Sequence, residues 1–480
     1  MHEKTLMRAD SICIREKRED VVLINFSVEN FRSFGEEQTL NLIASGKIQG
    51  HEEHFVPISD TGKNVLRAGV LYGANAAGKS NLVNAILYAH NLIIGTNRFT
   101  HLAINHFRFS PKKQPSSFEF RFLTNNRIFV YGFSIDERAV VEEWLEAKTE
   151  SGRDIDIFSR SKQKITVGKL KPFGKEAEVS ERALKALQVL GPRPDQLLLN
   201  KIVDLPSESR GGLLDGASWW FSECLMVIQP SASYGLLIEL LGKDSGFRGF
   251  AAEFLSEIGT GISDLHIERT EIPAENIPKE ILEALQSPKG HETNLFLADS
   301  SVSLQIRAGD STKVIRHNLA AQHAVGGNSY SLPFQEESDG TRRCLNLLPA
   351  LYQLTRGCKV FVIDELDRSL HPRLSYAFLK FFLESCPGAC QQLIVTTHET
   401  HLLDQELLRR DEIWFVQKDK KQQTQLYSLA DMNVRNDVRL EKGYLQGRFG
   451  GIPFIGDSKK LMDLIKCPTN GKRHAKKTPA

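Results

Sequence analysis

Apolar and polar positions along the chain fall into distinct textures. LINFSV, residues 23–28, alternates as a half-buried strand does, and ENFRSFGEEQTLNLIA leads through a turn into a second strand. RAGVLYG, residues 67–73, is a continuous apolar run that predicts a short buried strand, and SNLVNAILYAHNLI, from residue 80, has the spacing of an amphipathic helix. SFEFRFL, RIFVYGFSI and AVVEEWLEAKT alternate over short stretches between residues 117 and 149 and predict a β-meander.

Helical spacing dominates from about 175 to 290, in VSERALKALQVL, GASWWFSECLMVI, YGLLIELLG, FRGFAAEFLSEIG and PKEILEALQ, divided by Gly, Pro and Ser breaks. No heptad pattern persists for three or four repeats, so a compact helical insertion is expected in place of a long coiled coil. Strand texture returns in NLFLAD and SVSLQIRA. The last third alternates helix and strand, as TRRCLNLLPALYQLT, CKVFVIDEL, LSYAFLKFFLESC, QQLIVTTHE and DEIWFVQK, which is the order of α/β units. A chain of 480 residues is too long for one compact core. The division expected is an extension (1–22), a first half-head with the meander (23–174), the helical insertion (175–290), a second half-head (291–466) and a basic disordered tail (467–480).

Composition narrows the picture by exclusion. A net charge of +2, from 61 Lys+Arg against 59 Asp+Glu, gives no global nucleic-acid signature, so any basic surface must be local. No apolar run has membrane-spanning length, and MHEKTLMRADSICIREKRED lacks the apolar core of a signal peptide, so a cytoplasmic chain without membrane contact is expected. The seven scattered cysteines give neither a disulfide framework nor paired zinc spacing, and reduced, partly buried thiols are expected.

The stretch LYGANAAGKSNLVNAI, residues 71–86, raises the chemical question. Gly73, Ala74, Asn75, Ala76, Ala77, Gly78, Lys79 and Ser80 fit G-x-x-x-x-G-K-[ST] between a strand and a helix. Such a loop has little side-chain bulk and turns backbone N–H groups inward around phosphates, while the helix start adds its positive dipole end. Lys79 is placed to reach the β and γ phosphates, and Ser80 to coordinate Mg²⁺. The strand KVFVIDEL ends in Asp364 and Glu365, suited to hold Mg²⁺ through water and to take a proton from an attacking water. QQLIVTTHETHLL brings His398 to a strand's C-terminal end, where an imidazole can donate to a γ-phosphate. His401, three residues on, raises a metal reading that the spacing does not sustain, since H-E-x-x-H is absent there. In LPFQEESDGTRRCLNLL, the turn Ser338, Asp339, Gly340 and Thr341 serves plainly as a helix N-cap. Twin arginines in the first turn oppose the helix dipole, however, and suggest a turn that receives a phosphate from another loop.

INFSVENFRSF, GANAAGKS, FQEESDGTRR, VFVIDELDRSLHP, TTHETHLL and KGYLQGRFGGIP together resemble the SMC-like branch of ABC-type, AAA-family ATPases in bacterial antiphage systems. PtuA of Septu, retron-associated ATPases, AriA of PARIS and the RloA- and AbiLi-type proteins belong to that group. The resemblance covers roughly 23–150 and 290–455. It implies an α/β fold, an ABC/SMC-like P-loop head of mixed sheet and antiparallel meander, with ATP and Mg²⁺ as cofactors. It assigns Ser80 and Asp364 to the metal, Glu365 to the catalytic base, His398 to the switch, and the 73–81 loop through Asn81, with Arg32 and Ser33, to the nucleotide. Ser338–Thr341 become a signature turn acting in trans in an ATP-sandwiched homodimer, and DRSLHP a loop that communicates across it. Two departures stand out: Asp339 sits where transporters carry Gly, and only Gln114 offers itself for the Q-loop.

The resemblance further implies a sensor or regulatory subunit that controls a separately encoded effector, a nuclease, with nucleic acid among its partners. A transporter motor subunit and a DNA-repair or structural DNA-clamp ATPase are the alternatives. An ATPase with its own C-terminal TOPRIM nuclease fits less well, since only about eighty residues follow His398.

Overall fold

The computed structural model describes residues 21–452 except 59–60, 96–103, 111–113, 150, 231–236, 280, 283–292, 297–301, 308–309, 387, 389 and 433–438. The expected extension up to residue 20, the basic tail, and parts of YGLLIELLG, PKEILEALQ and NLFLAD lie outside the described residues.

In chain order, β1 (Val22–Glu29) and β2 (Gln38–Asn41) are followed by a hairpin of β3 (Phe55–Ile58) and β4 (Lys63–Leu66), then β5 (Ala68–Gly73) and helix α1 (Lys79–Ile94). The meander is β6 (Ser116–Thr124), β7 (Arg127–Ile135), β8 (Val140–Lys148), β9 (Asp154–Ser161) and β10 (Lys164–Val167). Helices α2 (Glu176–Leu190), α3 (Leu198–Val203) and α4 (Ser207–Trp219) come next, with a π-helical turn at Trp220–Cys224 and strand β11 (Leu225–Ile228). After α5 (Leu237–Lys243) and α6 (Ser245–Glu257) the chain forms β12 (Ile262–Pro273), β13 (Thr293–Phe296), β14 (Val302–Arg307), β15 (Asp310–Val325) and β16 (Asn328–Pro333). It closes with α7 (Asp339–Tyr352), β17 (Val360–Ile363), α8 (Pro372–Glu384), β18 (Gln392–Thr396), β19 (Ile413–Lys418), β20 (Thr424–Ser428) and α9 (Leu440–Leu445).

Two sheets frame the head. The antiparallel one runs β10-β9-β8-β7-β6-β1-β2. The other runs β11-β17-β18-β5-β19-β20, parallel except for β20, so the expected pairing of a mixed sheet with an antiparallel meander is present. The mixed sheet is covered on both faces, which is why its strands are solidly apolar and not alternating. Leu71, Val360, Val362 and Ile394 face α1 and the antiparallel sheet, while Val70, Tyr72, Phe361, Ile363, Leu393 and Val395 face α7 and α8. The third sheet, β12-β15-β14-β13 with β16 on β15, is hydrogen-bonded separately, and its Ile262, Leu265, Leu319 and Ala321 join the apolar cluster on the α7 and α8 side.

Two findings differ from expectation. The 175–290 stretch contains α2 to α6, but it also supplies β11, which pairs in parallel with β17 at the edge of the core sheet, and β12, which pairs with β15. LMVI follows directly on the helical SWWFSEC, and a four-residue apolar run has too few positions for periodicity to separate strand from helix. Cys358 and Cys390, expected as reduced thiols, form a disulfide. They lie just before β17 and β18, and the parallel pairing of those strands brings their Cα atoms to 5.3 Å across a separation of 32 residues. Among the described residues Cys224, Cys344 and Cys386 are free.

Candidate functional site

The loop after β5 wraps a cavity of about 520 Å³ lined by Ala74 to Asn81, Glu365, His398 and Lys418. Its backbone is shaped by crowding as well as by openness. A Cβ on Gly78, at φ 119°, would stand 2.1 Å from Thr424 Oγ1, and one on Gly73 would stand 2.4 Å from the Val416 carbonyl oxygen. The glycines therefore let the loop lie against β19 and β20 while its N–H groups stay free of side-chain cover. Thr424 fastens the arrangement: its hydroxyl donates to the Ala77 carbonyl at 2.8 Å and pairs with the Ser33 hydroxyl at 2.7 Å. Asn81 Nδ2 donates to the same Ser33 Oγ at 2.7 Å, and Arg32 Nη1 approaches Asn81 Oδ1 at 3.5 Å. Arg32 and Ser33 thus buttress the first turn of α1 from outside the cavity lining.

Lys79, the first residue of α1, is buried, and its Nζ donates to the carbonyls of Gly73 at 2.7 Å and Ala74 at 3.3 Å. Burial pulls its pKa down to about 8, opposed by the carboxylates of Asp364, Asp367 and Glu365. An ammonium held by two neutral carbonyls and partly stripped of water is a group in want of an anion.

The acidic end of β17 meets this loop from the neighbouring parallel strands. Ser80 Oγ donates to Asp364 Oδ1 at 3.2 Å, and Thr396 Oγ1, at the end of β18, donates to the same oxygen at 2.5 Å. The Thr396 hydroxyl also accepts from the Glu365 N–H at 2.8 Å, so one hydroxyl orients both acidic residues. Glu365 sits at φ 48°, a left-handed conformation rare for a non-glycine residue. Arg343 Nη2 holds that kink from behind, donating to the carbonyls of Asp364 at 2.7 Å and Glu365 at 2.9 Å. Burial, with Arg368 nearby, lowers the Arg343 pKa to about 10 against the pull of the three carboxylates. His398 lines the cavity; its backbone N–H donates to Asp367 at 3.2 Å, and burial together with Lys79 lowers the imidazole pKa.

The residues fit a nucleotide and its magnesium. A short-side-chain cradle opens at a helix start, a buried lysine lacks an anionic partner, and a hydroxyl and a carboxylate stand together as the hard oxygen donors Mg²⁺ takes.

Other expected residues lie elsewhere. Ser338, Asp339, Gly340 and Thr341 do not line this cavity. Ser338 Oγ caps α7 by accepting from the Thr341 N–H at 3.1 Å, and the twin arginines have local work, Arg342 pairing with Asp339 and Arg343 turned inward. The arginines thus carry no argument for a phosphate at this turn. Gly340 is packed against the DRSLHP loop, where a Cβ would stand 2.8 Å from the Ser369 carbonyl oxygen. Gln114 lines a different cavity, with Asn30 and His106, where its carbonyl accepts from Asn30 Nδ2. His401 Nδ1 lies 3.1 Å from Glu441 and makes no pair with His398 in the cavity.

Thr396, Thr424, Arg343 and Lys418 were given no role by sequence reasoning. The polar TT after an apolar strand and the second arginine of the turn carried a signal for two of them. Nothing local marks Thr424, whose place follows from β20 pairing with β19.

No curated protein matches the chain. Among solved structures, an SMC head domain from Thermotoga maritima is 13% identical, with 85% of this chain and 98% of that one covered and a TM-score of 0.35. An Smc head domain from Pyrococcus furiosus, bound to the C-terminal domain of ScpA, is 13% identical over 93% and 100% of the two chains at a TM-score of 0.36. The recombination mediator RecF with ATP is 14% identical over 86% and 99% at 0.35. Identities and scores this low leave ligands and partners unassigned. The family described as "AAA domain, putative AbiEii toxin, Type IV TA system" matches residues 70–185 and 269–404, more than half of the 480 residues, and this protein belongs to it.

Proposed function

We propose that the protein is an ATP-binding and ATP-hydrolysing switch, working as an ATP-sandwiched homodimer that controls a separately encoded effector nuclease in antiphage defence. One observation carries the enzymatic part: Ser80, Asp364, Thr396 and Glu365 are joined by hydrogen bonds, and Ser80 and Glu365 line the phosphate-loop cavity. In this reading Lys79 exchanges the Gly73 and Ala74 carbonyls for the β and γ phosphates. Glu365 accepts the proton of the attacking water, and His398 donates a hydrogen bond toward the γ-phosphate. Mg²⁺, held by Ser80 and Asp364, would supply charge neutralisation at the phosphate oxygens. Arg343 and Thr396 are positioning residues that fix the Asp364–Glu365 peptide.

The capped turn at Ser338–Thr341 lies outside its own chain's cavity, which suits a part completed by a second copy. The toxin–antitoxin wording of the family description supports a defence role with an output beyond ATP turnover, and nucleic acid as trigger follows from the same reading. A plaque assay with this gene alone, with its adjacent gene, and with both carrying Lys79→Ala or Glu365→Gln tests the proposal. Protection is expected only from the intact pair. Full protection by this chain alone, or protection indifferent to Lys79→Ala, contradicts it.

A further inference from the structure

At the N-terminal end of the core sheet, away from the phosphate loop, HEEH at residues 51–54 forms a tight turn ahead of β3. His51, Glu53 and His54 each turn one ligand-type atom inward, and the three atoms lie within 4.8 Å of one another. His51 Nδ1 is 3.4 Å from Glu53 Oε1, and His54 Nε2 is 3.6 Å from the same oxygen. Those separations are long for hydrogen bonds but close to the edge of a zinc tetrahedron, where two ligands at about 2.1 Å from the ion stand about 3.4 Å apart.

What lies behind the two rings decides their chemistry. His51 Nε2 is 3.0 Å from the Gln405 carbonyl, which only accepts, so that nitrogen carries the proton. His54 Nδ1 lies 3.0 Å from both oxygens of Glu412, a carboxyl with 0% exposed surface, and donates there. Each ring therefore spends its only proton on an outer acceptor and, when neutral, aims a lone pair at the Glu53 oxygen. This is how histidine metal ligands are oriented by a carbonyl or carboxylate behind them. His51 holds its place at φ 53°, a conformation rare for L residues. His54 is buried, whereas His51 and Glu53 are 25% and 36% exposed on their side chains, which leaves a solvent side for a fourth ligand.

We infer that His51 Nδ1, the Glu53 carboxylate and His54 Nε2 form a binding site for one zinc-class divalent ion, with water in the fourth position. Two imidazoles and one carboxylate suit Zn²⁺ and its transition-metal neighbours and are poor for Mg²⁺, which takes oxygen ligands in octahedral geometry. The site is separate from the nucleotide cavity. Its supports, Gln405 and Glu412, come from the segment between β18 and β19, and Glu412 immediately precedes the first residue of β19. The phosphate loop leaves the far end of the parallel partner β5. A bound ion would fix the turn before β3 against that segment, joining the two halves of the chain.

The test uses the untagged full chain, stripped with a chelator and titrated with Zn²⁺ alone and with Mg²⁺ alone, followed by a competing dye and by thermal unfolding. One tight Zn²⁺ equivalent is expected, with a rise in Tm, and no such effect from Mg²⁺ alone. His51→Ala should lower Zn²⁺ affinity at least a hundredfold, and Glu412→Gln, which touches no ion, by about tenfold to a hundredfold. Zinc K-edge absorption should show two imidazole nitrogens and oxygen, without sulfur. Because thiolates are zinc ligands as well, His51→Ala keeping the tight equivalent, or sulfur in the first shell, overturns the inference. So does the absence of any tight equivalent in the wild-type chain.

Discussion

The two ends of the core sheet are built on opposite rules. Where β5, β17, β18 and β19 finish, polar groups converge on an open cavity and several hold back capacity. Among the described residues Lys79 has only carbonyl partners, and Ala76, Glu365 and Ser369 sit at left-handed φ values of 62°, 48° and 61°. Each such residue costs roughly 1–2 kcal/mol relative to an ordinary conformation. Where the same strands begin, Arg67 and Arg409 are closed on carbonyls and a carboxylate. Arg67, with 0% exposure, donates to the carbonyls of Glu53, Phe382, Leu383 and Gln391. Arg409 is forked onto Asp411 at 3.0 Å and reaches the Ile48 carbonyl at 3.1 Å. The first end stores strain and unmet charge where nucleotide chemistry is proposed; the second locks the chain with Arg67 and Arg409 and gathers ligand-type atoms at the His51–His54 turn.

That contrast can be broken from either side. The largest effect is expected at the cavity. Lys79→Ala should weaken nucleotide binding by roughly a hundredfold to a thousandfold, since a charge-assisted contact is lost in a partly buried site. Its Tm should stay near wild type, because the lost ammonium bonds only two loop carbonyls. Calorimetric titration with a non-hydrolysable analogue, beside a melting curve, checks both. At the opposite end the reverse holds. Arg67→Met removes the arginine donor from four carbonyls, three of these bonds buried, and should cost about 3 kcal/mol or more in urea unfolding, while nucleotide affinity of the folded fraction stays within about twofold. Loss of affinity comparable to that of Lys79→Ala would erase the distinction between the two ends.

Arg343→Lys sharpens the comparison within the cavity end. A lysine keeps the charge but, shorter and with one nitrogen, cannot hold the Gln229 carbonyl together with those of Asp364 and Glu365, so turnover should fall roughly tenfold with affinity nearly unchanged. A fall in affinity with turnover intact would place Arg343 in binding. The smallest effect is one of pH. Lys79 in the free protein titrates at about 8, and phosphates favour its charged form, so binding weakens as pH rises through that value. Affinity should drop about fivefold between pH 8 and 9 and change little below 7. The slope should vanish in Lys79→Ala.

Local features were legible in the sequence and non-local ones were not. The strand, loop and helix around Lys79 declare themselves by periodicity and glycine placement, and KVFVIDEL and QQLIVTTHE read as buried strands with polar ends. Strand order is carried by no single segment, so β11 passed for helix and the approach of Cys358 to Cys390 was hidden. The same reason hides the joint hold of Thr396 on Asp364 and Glu365 and the clasp of Thr424 on Ser33 and Ala77, each made across strands that meet only in the folded sheet. The twin arginines show the converse: two neighbours in sequence look like one feature, whereas the helix turns one outward to Asp339 and the other inward to the acidic strand end.

The central claim is that Glu365, held at the cavity mouth, is the base of an ATPase that binds its nucleotide through Lys79. Its most direct test is phosphate release from ATP with Mg²⁺ by the wild-type chain and by Glu365→Gln, with ATP binding measured on the same samples. Mg²⁺-dependent release by the wild type is expected, with a loss of roughly a hundredfold to ten-thousandfold in Glu365→Gln and retained binding in that variant. Equal turnover in the two proteins would contradict it.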